Sequence, residues 1–261
     1  MVILFPSDYF DKKKPDEMFS DQVQAFESLD FKISTVSLED LQFGKVRFYP
    51  ALPENEEVLY RGWMISPNEY EQLAGAVLEA KAKPFTTPEQ YSLTHYIPNW
   101  YPHLAGLTPE TVCFSDVDTL EDELRALDWK GFFVKDYVKS LKTSIGSRIE
   151  SPEQISTVLS EMEKFRGQIE GGICVRRLEA IDETSERRYF VVRGEVYSSD
   201  NEAPPPIVKE CASRLDSPFF SVDIVMRDDR ELRVIEVGDG QVSDLVGWSV
   251  ERFASLWRNT G

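Results

Sequence analysis

Apolar residues along this chain come in short bursts separated by charged or proline-bearing turns, and the period of each burst identifies its element. Val2–Phe5 is a continuous apolar run stopped by Pro6-Ser7-Asp8, the pattern of a strand buried on both faces. Met18, Phe19, Val23 and Phe26 recur at helical spacing and predict a helix within Asp16–Leu29. Strands are predicted at Lys32–Val36, Lys45–Tyr49 and Glu57–Tyr60, the last running into Arg61-Gly62-Trp63. Pro67 at a first turn, followed by Leu73, Val77 and Leu78, predicts a helix to Ala80. Strands alternating with helices make residues 1–85 a small α/β domain.

Residues 86–110 break this rhythm. Five prolines lie between positions 84 and 109, with Tyr91, Tyr96, Trp100 and Tyr101 among them, which predicts an ordered connector packed by its aromatics. From 111 to 261 regular periods return as a further domain. Gly131–Lys135 and Gly172–Arg177 are predicted strands, and Pro152–Phe165 a helix with Ser151 as its N-cap. Arg188–Val192 and Glu195–Ser198 form a hairpin about Arg193-Gly194, and Pro206–Leu215 a helix. Phe219–Met226 and Glu231–Val237 form a second hairpin across Arg227–Arg230, and Val246–Trp257 closes the chain as a helix. Hairpins mixed with helices predict an α+β arrangement with an antiparallel sheet.

The composition, 41% apolar and 29% charged over 261 residues, is that of a globular protein with a sizeable core. A net charge of −17 argues against nucleic acid and against an anionic membrane surface as partners. Three cysteines, odd in number and far apart in sequence, are expected to be reduced, mostly buried thiols of a cytoplasmic protein. With only His95 and His103 present, a histidine-rich zinc site or a serine–histidine triad elsewhere in the chain is not expected. No run reaches the roughly 18–20 apolar residues of a membrane span, and the start MVILFPSD lacks the basic region of a signal peptide.

In so acidic a chain the local exceptions carry information. Residues 130–148 hold Lys130, Lys135, Lys139, Lys142 and Arg148 against Asp136 alone. Lys135 ends the apolar strand Phe132-Phe133-Val134, where its ammonium can reach past the sheet edge. The hydroxyls and N–H groups of Thr143–Ser147 could then close over phosphate oxygens. A solvated basic loop is the plainer alternative, since neither GxxxxGK[ST] nor GxGxxG is present. A second basic cluster comprises Arg176, Arg177, Arg187, Arg188 and Arg193.

The second hairpin bears carboxylates in apolar strands: Asp223 between Val222 and Ile224, Glu236 between Ile235 and Val237, and Asp239 just beyond. Such groups need a cation or basic partners to stay ionised. Mg²⁺, which takes one or two carboxylates and completes its shell with water and phosphate oxygens, meets that need. Ion pairs of Asp223 with Arg233 and of Glu236 with Arg188 would meet it equally well. His95 is either a core histidine or part of an acceptor side formed with Arg61 and Tyr101. Asp244 suits a turn or a helix N-cap.

A strand-end lysine, a basic small-residue loop, a charged strand-to-hinge segment and Asp…Glu-x-x-Asp on a hairpin, in that order, resemble the ATP-grasp fold. More narrowly, FPSD, Arg61-Gly62-Trp63-Met64, the Tyr91–His95 and Pro98–Tyr101 connector and the closing EVGDGQVSDL resemble the RimK-related clade of that superfamily. The resemblance implies antiparallel sheets with helices, in two lobes around a nucleotide cleft, behind a small α/β pre-ATP-grasp domain. By the same resemblance Lys135 contacts the α- and β-phosphates, and Lys142 to Gly146 forms the phosphate-covering loop. Arg176, Arg177 and Leu178 form the adenine hinge, Glu186 accepts from the ribose, and Arg188 addresses phosphate or the acyl phosphate. Asp223, Glu236 and Asp239 match the magnesium ligands.

The implied function is an ATP- and Mg²⁺-dependent ligase that joins a small-molecule or peptide carboxylate to an amine or thiol through an acyl phosphate. The alternatives are a nucleotide-binding regulatory or partner-binding protein without ligase activity, and a phosphotransferase. Base rates alone suggest a twofold homodimer. Three departures from the family pattern stand out: Asp239 occupies a position usually held by Asn, arginines replace acidic or amide residues in the hinge, and the covering loop has Gly146 as its single glycine.

Overall fold

The computed structural model describes residues 1–138, 147–166 and 169–259. In chain order the first elements are β1 (Val2–Pro6), α1 (Ser20–Glu27), β2 (Lys32–Val36), α2 (Leu38–Gln42), β3 (Phe48–Tyr49), β4 (Glu57–Tyr60), α3 (Pro67–Glu79), β5 (Lys83–Pro84), α4 (Pro88–His95) and α5 (Ile97–Leu104). They are followed by β6 (Thr111–Phe114), α6 (Leu120–Ala126), β7 (Phe132–Asp136), β8 (Arg148–Ile149), α7 (Ile155–Arg166) and β9 (Ile173–Arg177). The last are β10 (Ile181–Val192), β11 (Glu195–Tyr197), α8 (Pro206–Arg214), β12 (Phe219–Arg227), β13 (Leu232–Asp239) and α9 (Val250–Ser255). Their contacts divide the chain into two compact units, one of residues 1–94, 187–223 and 236–261, the other of 95–186 and 224–235. The divisions fall inside β10, β12 and β13.

In the first unit a five-stranded sheet runs β3-β2-β1-β4-β5, parallel except for β3. Every residue of β1 is buried, as an all-apolar parallel strand requires. Alternation sends Ile3, Phe5 and Leu59 to one face, where they meet Phe19, Phe26, Phe190, Phe253 and Trp257. Val2, Leu4, Val58 and Tyr60 go to the other, against Tyr70, Leu73 and Val77 of α3 and Tyr91 of α4. Helix α3 starts on a capping box in which Ser66 Oγ accepts from Glu69 N and the Glu69 carboxylate accepts from Ser66 N at 2.8 Å. Beyond β10, Arg193 and Gly194 both take positive φ, 50° and 82°, the conformation a two-residue hairpin needs.

The second unit is built on the antiparallel sheet β6-β9-β7-β8. One face, with Phe132, Val134, Ile173 and Val175, packs against Leu120 and Leu124 of α6 and Ile155, Val158 and Met162 of α7. A third sheet has the order β11-β10-β12-β13. Between β12 and β13 the chain turns at 228–230, closed by Arg227 N donating to Glu231 O at 2.8 Å.

Two expectations change. Register places Cys113 of β6 opposite Cys174 of β9, their Cα atoms 4.0 Å apart, and the two sulfurs form a disulfide; only Cys211 is a buried free thiol. Distance in sequence concealed this pairing, because a 61-residue separation is closed by the antiparallel register. The proline-rich connector is also more helical than expected. Pro88 opens α4 and Pro98 lies in the first turn of α5, where the missing N–H costs nothing. Among the described residues no helix is long and apolar enough to cross a membrane.

Candidate nucleotide and metal site

Lys135 is the penultimate residue of β7, opposite Cys174 of β9. Alternation puts it on the sheet face that also carries Cys174, Arg176 and Cys113, away from the apolar face packed by α6 and α7. The residue is buried, 3% exposed. Arg176 is also buried. Its Nη1 donates to the Ile235 carbonyl, and its guanidinium carbon stands 5.3 Å from the centre of the Trp100 ring.

The chain then leaves β9 through Arg177, whose N–H donates to Glu110 O at 2.8 Å, and Leu178, whose N–H donates to Gly131 O at 3.1 Å. Leu178 packs closely on Gly131: a Cβ there would lie 2.7 Å from Leu178 Cδ1, so a side chain at 131 would displace the end of Leu178. Arg177 and Leu178 line a cavity of about 600 Å³ with Thr108, Glu179, Arg227 and Arg233. Glu186 lies exposed within β10. Lys142, expected in the phosphate-covering loop, lies outside the described residues, as do 139–146 generally.

The first unit holds the acids. Asp223 on β12 is 2% exposed and accepts both arms of Arg188, Nε to Oδ1 at 2.7 Å and Nη2 to Oδ2 at 2.6 Å. The third arm of Arg188 donates to the Asp244 carbonyl at 2.8 Å. Burial pulls the Arg188 pKa down, but the Asp223 bond and the charges of Asp223, Glu236 and Asp244 outweigh it and hold it above its usual value. Arg233, the expected ion-pair partner of Asp223, instead forks onto Glu179 at 2.8 and 2.7 Å, and Arg188, expected opposite Glu236, holds Asp223.

Glu236 is half-buried on β13. Asp239, at the end of β13, is fully buried: Oδ1 accepts from Gln241 N and Nε2, and Oδ2 from Thr94 Oγ1. Burial pushes its carboxyl up to about 7 against the lowering effect of those bonds. Thr94 and Gln241 escaped the sequence analysis although both fall in segments singled out there, because a hydroxyl and an amide carry no charge signal. The candidates in the first unit are thus Arg188, Asp223, Glu236 and Asp239, and those in the second are Lys135, Arg176, Arg177, Leu178 and Glu186.

The donor set is all oxygen, which suits a hard cation such as Mg²⁺. Among the described residues no three His, Cys, Asp or Glu side chains are arranged to hold a metal ion by themselves. Two carboxylates completed by phosphate and water is how Mg²⁺ is commonly held beside a nucleotide; Asp223 and Glu236 are carboxylates of that kind, with both Asp223 oxygens accepting from Arg188 here. Asp239 is better placed to fix the end of β13 through Gln241.

A family model describing an ATP-grasp domain, family 3 of the RimK-related clade, matches residues 121–259. The chain belongs to this family. It is therefore an ATP-grasp protein, an enzyme of the ATP-dependent ligase type. Solved structures share the fold across the whole chain at low identity. The D-cycloserine synthetase DcsG aligns with a TM-score of 0.66 at 14% identity, covering 99% of both chains. A RimK-domain ATP-grasp protein from Sphaerobacter thermophilus gives 0.64 at 15%, covering 97% of this chain and 98% of its own. The ATP-grasp ligase PsnB, complexed with a minimal precursor, Mg and ADP, gives 0.59 at 13%, covering 98% and 96%. No curated protein matched the sequence.

Proposed function

We propose that this ATP-grasp enzyme joins a carboxylate to an amine or thiol, using ATP and Mg²⁺. The observation that carries the reading is the gathering of the Asp223 carboxylate and the charge of Glu236 about Arg188, in strands that are otherwise apolar. Asp223 and Glu236 would hold the Mg²⁺, which offsets charge on the transferring phosphoryl group. Lys135 would meet the α- and β-phosphates, Lys142 the outer phosphates, and the backbone of Arg176–Leu178 the adenine edge, with Glu186 on the ribose. Arg188 would turn its charge toward the reacting carboxylate.

A carboxylate oxygen attacks the γ-phosphorus and the bond to the β-phosphate oxygen breaks, releasing ADP. The amine nitrogen then attacks the acyl carbon, the bond to phosphate breaks, and a proton leaves the nitrogen. No protein nucleophile takes part in either step, so catalysis would rest on position and charge. The complex of PsnB with Mg and ADP supports the cofactor reading, and a synthetase of D-cycloserine beside a ligase bound to a precursor supports both small-molecule and peptide acids as candidate substrates.

Hydroxylamine tests the reading, since it captures an acyl phosphate as a hydroxamate. With ATP, Mg²⁺ and a panel of amino-acid and peptide acids, at least one acid should give hydroxamate and ADP together. ADP formed with a stable phosphorylated product and no need for an amine would identify a phosphotransferase. ATP binding without turnover of any acid would favour a nucleotide-binding protein without ligase activity.

A further inference from the structure

The order of the first unit's sheet carries an inference of its own. From β1 the chain goes to β2 on one side, and β4 returns to the other side of β1, so the direction of winding reverses at β1. In open α/β sheets ligands bind outside the carboxyl ends of the strands at such a reversal. The residues that follow β1 and β4 are Ser7 and Arg61.

Both lie on one face. Ser7 continues the row of Ile3 and Phe5, and Arg61 the row of Leu59. The two strand ends are pressed together: Arg61 N donates to Leu4 O at 2.8 Å, and a Cβ on Gly62 would stand 2.6 Å from the Pro6 ring. Exposed Trp63 and half-buried Asp8 adjoin them in sequence.

Arg61 is 2% exposed. Nε donates to Gln22 Oε1 at 2.8 Å, and Nη1 to the carbonyls of Gly240 at 3.3 Å and Gln241 at 3.0 Å. The guanidinium carbon lies 4.9 Å from the centre of the Phe253 ring. Every partner is neutral. Among the described residues no carboxylate comes within ion-pair distance; Asp244 and Asp239 act only at longer range. Burial lowers its pKa to about 10, so the charge persists at neutral pH.

Tethering two carbonyls needs a donor but no charge, and a buried cation without a counter-ion is costly. Ser7 supplies the complementary oddity, a hydroxyl 7% exposed whose Oγ has no hydrogen-bond partner. We propose that Arg61 and the Ser7 hydroxyl together seat a carboxylate of the acid substrate. With Nε on Gln22 and Nη1 on the two carbonyls, Nη2 is the guanidinium group left to donate to a carboxylate oxygen, and Ser7 Oγ donates the further bond. The proposal rests on the ligase reading for the identity of its occupant as a substrate.

The test is an NMR titration of the ¹⁵N-arginine-labelled full chain. The Arg61 Nε–Hε resonance is identified by its contact with the Phe253 ring and by its loss in Arg61→Lys; the first means suffices if that variant does not fold. At matched ionic strength, N-acetylalanine should move this resonance saturably, while N-acetylalaninamide and inorganic phosphate should not. Ser7→Ala should weaken the carboxylate response about tenfold, the worth of one hydrogen bond to a charged group. No response to the carboxylate, an equal response to the amide, or a response to phosphate alone would overturn the proposal. ATP·Mg²⁺ binding followed on the same samples keeps the two ideas apart. A carboxylate response without ATP binding would count against the ligase reading and leave the anion seat standing; ATP binding without a carboxylate response would do the reverse.

Discussion

Arg188 spends its whole fork within the first unit, two arms on Asp223 and one on the Asp244 carbonyl. Asp223 is 2% exposed, so removing the arginine leaves a buried charge with its main partner gone. Arg188→Met should cost about 3–5 kcal/mol of stability. The double variant Arg188→Met/Asp223→Leu should recover most of that loss, since it removes the stranded charge as well. Chemical denaturation of the three proteins checks this; a fully stable single variant would mean that Asp223 is held by other groups. At this scale the sequence showed which acids were out of place, because a carboxylate inside an apolar strand demands an explanation. Its ion-pair alternative named the wrong partner: Asp223 was matched with Arg233, whereas Arg188 holds Asp223 and Arg233 lies on Glu179. Asp239 was read only as a further oxygen ligand just beyond the strand; its full burial and its neutral holders Thr94 and Gln241 were not legible.

Periodicity located β2 and β4 to the residue and α3 to within one residue at its end, the helix because Pro67 marks its first turn and Leu73 and Val77 its buried face. Ser66→Ala removes the hydroxyl that accepts from Glu69 N and should lower stability by about 1 kcal/mol. A thermal melt would show it, and an unchanged midpoint would mean that packing of Tyr70, Leu73 and Val77 alone fixes the helix. Legibility fell where length failed. β3 has two residues instead of the five expected, and α6, with Leu120 and Leu124 as its buried pair, is too short for periodicity to stand out. Prolines suggested an ordered connector without long elements where α4 and α5 use Pro88 and Pro98 in their first turns, since the same residue that breaks a helix interior is welcome at its start. The disulfide between β6 and β9 depends on register, which no local pattern displays.

On the scale of the whole molecule, a chain of net charge −17 that binds a polyanionic nucleotide must concentrate positive charge where the phosphates lie. In the proposed function that work falls to Lys135, buried on its sheet, and to Arg188, whose guanidinium lies among the acids. Family membership rests on residues 121–259, and the likeness in fold extends over the N-terminal sheet as well. The whole-chain resemblance was visible because its motifs are spread from FPSD to EVGDGQVSDL; the substrate was not, since none of those motifs names one. The most direct test is calorimetric titration of ATP into the full chain with and without Mg²⁺, beside Lys135→Ala and Glu236→Gln. The account predicts magnesium-dependent binding that is lost in Lys135→Ala and weakened, with its magnesium dependence reduced, in Glu236→Gln. Equal binding with and without Mg²⁺ in all three proteins, or no binding in any, would contradict it.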